Sequence, residues 1–305
     1  MNTNLRQANT KITAVGLLTE KKMEIKADTT GVKHIEGTVT VKTSDKNFVT
    51  FTVYNKEKKK DGGENKAYAG LVTVMNEFKS VAEVGEDEAD YIRVNGQLNP
   101  YRGQNGNEII GYRASFLNRI KQVDNITTEA TFETEMFIQS ILPEVDKEGE
   151  ETGRMKVTGW LPTYAGIEPI ELIAPEDLAD ALADTYEPGQ TVEFYGDVIN
   201  NRIVETIEKP VAFGKPKKET RSTYVNELIL TGGSDPYDDE ESEDENENNG
   251  KRIPYKVETI RAAIQERENE IAAEKAGANK KTGTGMKGGS KPSGAKHGRV
   301  LNLDI

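Results

Sequence analysis

The sequence predicts a mainly β protein with short helices, built as two small five-stranded barrels in tandem and followed by a C-terminal helix and a disordered tail. Three observations carry this. Period-two alternation of apolar and polar residues recurs between residues 12 and 231; one order of elements is written twice; and from Asp235 the composition turns abruptly acidic, then Gly- and Lys-rich. At 305 residues the chain is long enough for two domains, each with its own core.

In the first copy, alternating segments cover Ile12–Lys26, His34–Lys42 and Phe48–Tyr54, with Val49-Thr50-Phe51-Thr52-Val53 the cleanest half-buried strand. Between Tyr68 and Val84, Leu71, Val74, Met75, Phe78 and Val81 recur at three-to-four spacing, the mark of a helix with one buried face. Strands Tyr91–Leu98 and Glu108–Ile120 follow, and Pro, Gly and Asn-Gly in residues 99–107 make their connection a hairpin loop. The second copy offers strands at Thr131–Leu142, Met155–Leu161 and Ile167–Ile173. A helix then opens at Pro175 as its first position, with Leu178, Ala181 and Leu182 as the buried face, and strands Thr191–Ile199 and Ser222–Thr231 close the unit.

Three strands, a helix and two closing strands is the order of the OB-fold, a Greek-key barrel. The domains expected are 1–124 and 125–234, then an acidic loop 235–250, a helix 251–276 and a flexible basic tail 277–305 with an apolar tip. Val94-Asn95-Gly96-Gln97-Leu98, Tyr101-Arg102 and Gly111-Tyr112-Arg113-Ala114-Ser115-Phe116 in the first copy carry a resemblance, as do Val157-Thr158-Gly159-Trp160 and Phe194-Tyr195-Gly196-Asp197-Val198 in the second. The chain resembles the single-stranded DNA-binding proteins of bacteriophages and, more distantly, bacterial single-strand binding proteins. That resemblance implies tandem OB-folds and a role in coating single-stranded DNA during replication or recombination.

Single-strand binding needs ring faces for bases and cations for phosphates. Alternation puts Val49, Phe51 and Val53 on one face of the third strand and Phe48, Thr50, Thr52 and Tyr54 on the other; Thr38, Thr40 and Lys42 share that outer face on the second strand. OB-folds use this face together with the loops after strands one and four. The expected groove therefore carries Lys42, Lys46, Phe48 and Tyr54, then Lys56, Lys58, Lys59 and Lys60, with Tyr101 and Arg102 from the loop after strand four and Tyr112 or Arg113 from strand five. Against this stands a plainer reading, in which the rings cap the barrel and the lysines solvate a loop. In the second copy Arg154, Lys156, Thr158 and Trp160 share one side of a strand, although Trp160 is as well suited to a core as to a base.

The acidic run from Asp235 to Glu247 cannot pack and is expected to be solvated; a sharper reading makes it a phosphate mimic competing for the basic groove, or a hook for partner proteins. Val257, Ile260, Ile264 and Ile271 form a narrow helical stripe expected to dock on a barrel, with pairing between chains as the alternative and Gly277 as the stop. A literal G-x-G-x-x-G at Gly283, Gly285 and Gly288 has neither a preceding strand nor a following helix and is not read as a dinucleotide site. The tip Val300–Ile305, on its mobile linker, suggests recruitment of replication or recombination proteins.

Composition narrows the function further. Cysteine is absent, which excludes disulfides and thiolate chemistry, and no apolar run reaches the roughly 20 residues that span a bilayer. With no signal pattern at the start, a cytoplasmic protein is expected. The net charge of −12 is unevenly spread, about +3 over residues 1–124, about −12 over 125–234 and about −3 beyond, so the first copy is the better polyanion binder. The two histidines, His34 and His297, build no triad or zinc site, and no nucleophile elbow or phosphate loop occurs. Neither catalysis nor a cofactor is expected. The rival readings are an assembly module that binds proteins and a metal-dependent nucleic-acid enzyme.

Overall fold

The computed structural model describes residues 5–103, 105–121, 126–209, 217–238 and 253–281. The first barrel is closed by β1 (Thr10–Ala27), β2 (Lys33–Lys42), β3 (Phe48–Lys56), β4 (Tyr91–Arg102) and β5 (Glu108–Arg119). β1 is long enough to serve two partners within the barrel: Ile12–Leu17 pair with β4, and Leu17–Ala27 pair with β2 through a bulge between Leu18 and Glu20. β2 pairs antiparallel with β3, and β5 with β4. A parallel bridge between Thr52 and Arg113 shuts the ring, reinforced by the Thr52 hydroxyl donating to the Tyr112 carbonyl at 3.1 Å. The circuit 1-2-3-5-4-1 is that of an OB barrel. The valine face of β3 is the core, where Val49, Phe51 and Val53 meet Ile12, Leu18, Val39 and Ile92.

The helical stretch divides. α1 (Lys66–Glu77) is capped by Asn65, whose side chain accepts from the Ala67 amide, and plugs the barrel with Leu71 and Val74. The single helix expected to Val84 breaks at Phe78, which is extended, and restarts as the short α2 (Val81–Val84). Local hydrogen bonds win there: the Glu83 carboxylate accepts from both the amide and hydroxyl of Ser80, while Asp90 takes the Lys79 amide.

The second barrel repeats the first pair for pair. Its strands are β6 (Glu129–Val145), β7 (Glu151–Thr163), β8 (Gly166–Ala174), β9 (Thr191–Lys209) and β10 (Lys217–Gly233). Ile12 pairs with Gly96 as Phe132 pairs with Gly196; Lys42 pairs with Phe48 as Trp160 pairs with Pro169; the closing bridge Thr52–Arg113 returns as Ile173–Ile229. The β1 bulge recurs in β6 between Ile138 and Ser140. Gly96 and Gly196 share one constraint: a Cβ would be driven into the Arg113 carbonyl at the first and the Ile229 carbonyl at the second, where the neighbouring strand bulges. α3 (Glu176–Thr185) follows β8 with Pro175 as its N-cap, one residue earlier than expected of a first helical position. Its buried residues are Ala179 and Leu182; of the rest of the expected face Leu178 is half-buried and Ala181 is exposed.

The barrels join edge to edge. Thr10–Val15 of β1 pair antiparallel with Glu129–Thr134 of β6, so β4, β1, β6 and β9 form one continuous sheet. Ile12 and Phe132, equivalent in the two copies, are themselves paired, which places a local pseudo-twofold between them. At the far end Asn47 donates to the Val198 carbonyl at 2.8 Å and accepts from the Asn200 amide at 2.7 Å, seating β9 beside β3.

Both flanks of the second barrel converge on Glu135, a carboxylate only 2 % exposed on β6. Arg6 grips it with two nitrogens at 2.7 and 2.5 Å, the Asn9 amide donates at 2.9 Å, and the Tyr255 hydroxyl at 3.1 Å. The Tyr255 amide also donates to the Thr191 hydroxyl, and Arg6 lies 4.7 Å over the Tyr255 ring. From there α4 (Val257–Lys281) begins, burying Ile260 and Ala263. Residues 1–263 form one compact unit and 264–305 a second; within the latter, α4 runs past the expected stop at Gly277 to Lys281. The bulk of the acidic run, from Asp239 on, the G-x-G-x-x-G and the tip Val300–Ile305 lie outside the described residues. No described helix is long and apolar enough to cross a membrane.

Candidate nucleic-acid interface

On the first barrel, cross-strand pairing sets the outer face in rows: Lys42 beside Phe48, Thr40 beside Thr50, Thr38 beside Thr52, Glu36 beside Tyr54 and His34 beside Lys56. β5 and β4 extend it through Arg113 beside Gln97, Gly111 beside Asn99 and Ile109 beside Tyr101. Phe48 is half-buried, Tyr54 is 38 % exposed and Tyr101 is 46 % exposed. Tyr101 owes its pose to Gly111: a Cβ there would lie 3.0 Å from the Tyr101 ring and 2.9 Å from the Asn99 carbonyl oxygen. The Tyr54 ring leans on His34, with centroids 5.4 Å apart. Strand five presents Arg113; Tyr112 is buried against Phe51, and burial pushes its phenol up to about 12.

The cations are not equally available. Among the described residues, Lys46, Lys58, Lys59, Lys60 and Arg113 are exposed with no carboxylate in ion-pair range. The three consecutive lysines ride the turn between β3 and α1, where the Lys59 amide donates to the Gly63 carbonyl. Lys56 faces Asp28 at 3.7 Å, and Arg102 folds back over Gly106 in the β4–β5 turn. Lys42 donates to Glu86 at 2.9 Å, a bond that raises the ammonium's pKa. Glu36, the carboxylate beside Tyr54, accepts from Lys26 at 2.6 Å, which lowers its pKa and answers its charge. Because Glu86 is exposed, its hold on Lys42 is worth up to about 1 kcal/mol. Glu86→Gln is therefore expected to tighten binding of a single strand by up to roughly fivefold, read by titration with labelled oligo-dT.

The equivalent face of the second barrel is different: of its three expected contacts, Trp160 is buried, and Arg154 and Lys156 are engaged with carboxylates. Trp160 is only 8 % exposed. It stands in one cross-strand row with Phe137 and Thr191, the row on which Tyr255 settles, so its ring has no face to offer a base. Arg154 is held by both oxygens of Glu144 at 2.6 Å and by Glu227 at 3.0 Å, bonds that raise its pKa and consume its donors. Lys156 pairs with Glu171 at 3.1 Å. Position by position, Lys42 is replaced by Trp160 and Phe48 by Pro169. The β4–β5 hairpin of the first barrel overhangs this face, enclosing a cleft of about 490 Å³ lined by Pro100, Ile110, Thr158, Pro169, Glu171 and Ile173.

Sequence reasoning missed Phe116, which is 66 % exposed. Strict alternation from Tyr112 and Ala114 puts Phe116 inside, but a bulge at Ser115 turns both Ser115 and Phe116 outward. The adjacent apolar pair Phe116-Leu117 was the available signal, since a strand can bury only one of two neighbours. Among the described residues, no group of three His, Asp or Glu side chains is placed to hold a metal ion.

Among solved structures, the wild-type single-stranded DNA-binding protein from Thermus aquaticus is similar at 10 % identity, with 78 % of this chain and 97 % of that chain covered and a TM-score of 0.48. A deletion mutant of the same protein covers 79 % and 100 % at 10 % identity and a TM-score of 0.49. A replication protein A heterotrimer bound to single-stranded DNA is similar at 9 % identity, over 73 % of this chain and 49 % of that one, with a TM-score of 0.20. No curated protein matches the chain. The YorF family model matches residues 9–277, nearly the whole of both barrels and most of α4, and the chain belongs to the YorF family.

Proposed function

We propose that the chain binds single-stranded DNA without base preference along the outer face of the first barrel, and coats it during replication or recombination in a bacteriophage setting. One observation carries this reading: Phe48, Tyr54 and Tyr101 stand on the outer surface of one closed barrel, interleaved with Lys46, Lys58, Lys59, Lys60 and Arg113, cations without a carboxylate partner among the described residues. Rings accept any base face, and dispersed cations follow a backbone without fixing its sequence. We divide the binding and supporting roles at residues 124/125. The second barrel, its cations answered by Glu144, Glu171 and Glu227, acts as a platform and a surface for proteins. Recruitment of replication or recombination partners falls to the C-terminal tail.

Titration of the full chain with labelled oligo-dT tests the reading. Five unpaired cations on phosphates give a slope of roughly −3.5 in log affinity against log salt, so affinity is expected to fall about a hundredfold between roughly 50 and 200 mM. Affinity insensitive to salt, or no binding at low salt, contradicts it.

A further inference from the structure

We propose that the binding surface does not end at Tyr101 but runs along the outside of the β4–β5 hairpin to a second stacking station at Phe116, which takes an unpaired base of a polynucleotide. This rests on the reading above and extends the site to residues outside the β2–β3 face.

The bulge in β5 sets the direction of the Phe116 ring. Gly96 pairs with Ala114 and Asn95 with Phe116, so Ser115 is the extra residue and the Phe116 ring is thrown to the side that carries Arg113. Directly across lies Asn95; the diagonal neighbours on β4 are Gln97 and Arg93. Arg93 and Arg113 are exposed and, among the described residues, unpaired. An exposed phenylalanine between two free guanidinium groups is a poor surface for water and a good one for a polyanion bearing flat rings. A neutral apolar partner would leave both arginines unanswered, so charge complementarity selects the nucleic acid. Asn95 is fixed in place by the Thr13 hydroxyl at 3.3 Å, leaving a polar floor beside the ring.

Spacing makes the two stations one path. From Tyr101 to Asn95, the partner of Phe116, is six residues of β4, about 20 Å of strand, with Arg113 and Gln97 between them. The bulge is repeated in β10, yet Gly232 pairs there with Tyr195 where Phe116 pairs with Asn95, so this station belongs to the first barrel.

The test compares oligo-dT of roughly 6 and roughly 16 nucleotides, the range one OB barrel covers. It uses the full chain and three variants: Phe116→Ala, Phe116→Trp and Arg93→Gln. Phe116→Ala is expected to bind the short oligonucleotide as the parent does and the long one roughly 5- to 100-fold more weakly. Phe116→Trp should restore the long-oligonucleotide affinity, and Arg93→Gln should reduce the salt slope by about 0.7 on the long oligonucleotide alone. Emission from buried Trp160, unchanged in Phe116→Ala and Arg93→Gln, and a parental urea midpoint for Phe116→Trp, check that the fold is intact. If Phe116→Ala binds the long oligonucleotide like the parent, the second station is wrong even though the first stands. Should the parent bind neither length, the proposed function falls and takes this extension with it.

Discussion

Replacing Phe48 and Tyr54 together by alanine is expected to weaken oligo-dT binding between roughly thirtyfold and ten-thousandfold, with little loss of stability. One base stacked on each ring is worth about 1–3 kcal/mol. The two side chains leave the outer face of β3 while Val49, Phe51 and Val53 continue to fill the barrel, so the core is untouched. Leucine at the same two positions should rescue little of the affinity, because a branched aliphatic chain has bulk without a flat ring face. Anisotropy titration gives the affinities and urea unfolding the stability. A double variant that keeps parental affinity removes the β3 rings from the binding surface.

Arg6→Ala carries the largest expected cost in stability, about 2–3 kcal/mol. Removing one partner of a fully buried ion pair costs about 3–5 kcal/mol, and the partial exposure of Arg6 moves the value to the lower end. What remains is a Glu135 carboxylate under the Tyr255 hydroxyl and the Asn9 amide, with no cation. Arg6 also donates to the Ile253 carbonyl at 2.7 Å, so the same substitution loosens the segment that leads into α4. Burial and the nearby carboxylate raise the Tyr255 phenol well above its usual range, so Tyr255 stays a donor at every pH at which the fold is studied. Lys11→Ala removes an exposed pair with Glu133 at 2.6 Å and serves as the control, with an expected change under about 1 kcal/mol. A parental urea midpoint for Arg6→Ala means that the clamp is ornamental.

Much of the fold is legible in the residues, for a definite reason. Strands that are wet on one side and dry on the other must alternate, and β3 does so from Phe48 to Tyr54, so the outer positions of Phe48, Thr50, Thr52 and Tyr54 can be read directly. Legibility fails where alternation is broken or long-range contacts decide. The bulge at Ser115 inverts the parity of β5 and hides Phe116. The helix break at Phe78 depends on Asp90, a residue beyond α2. Trp160 and Arg154 have correctly read faces, but what covers or neutralises them comes from Tyr255, Glu144 and Glu227, far along the chain or across a hairpin. The Glu135 clamp is invisible in sequence, since its partners Arg6 and Tyr255 lie 129 and 120 residues away.

Photo-crosslinking the full chain to an oligonucleotide of 5-iododeoxyuridine, then mapping the attached residues, tests the central claim most directly. Attachment is expected at Phe48, Tyr54 and Tyr101 on the first barrel, and to be lost as salt is raised. Adducts concentrated on the second barrel, at exposed Tyr164 or Tyr195 for instance, would contradict the assignment of the strand to the first.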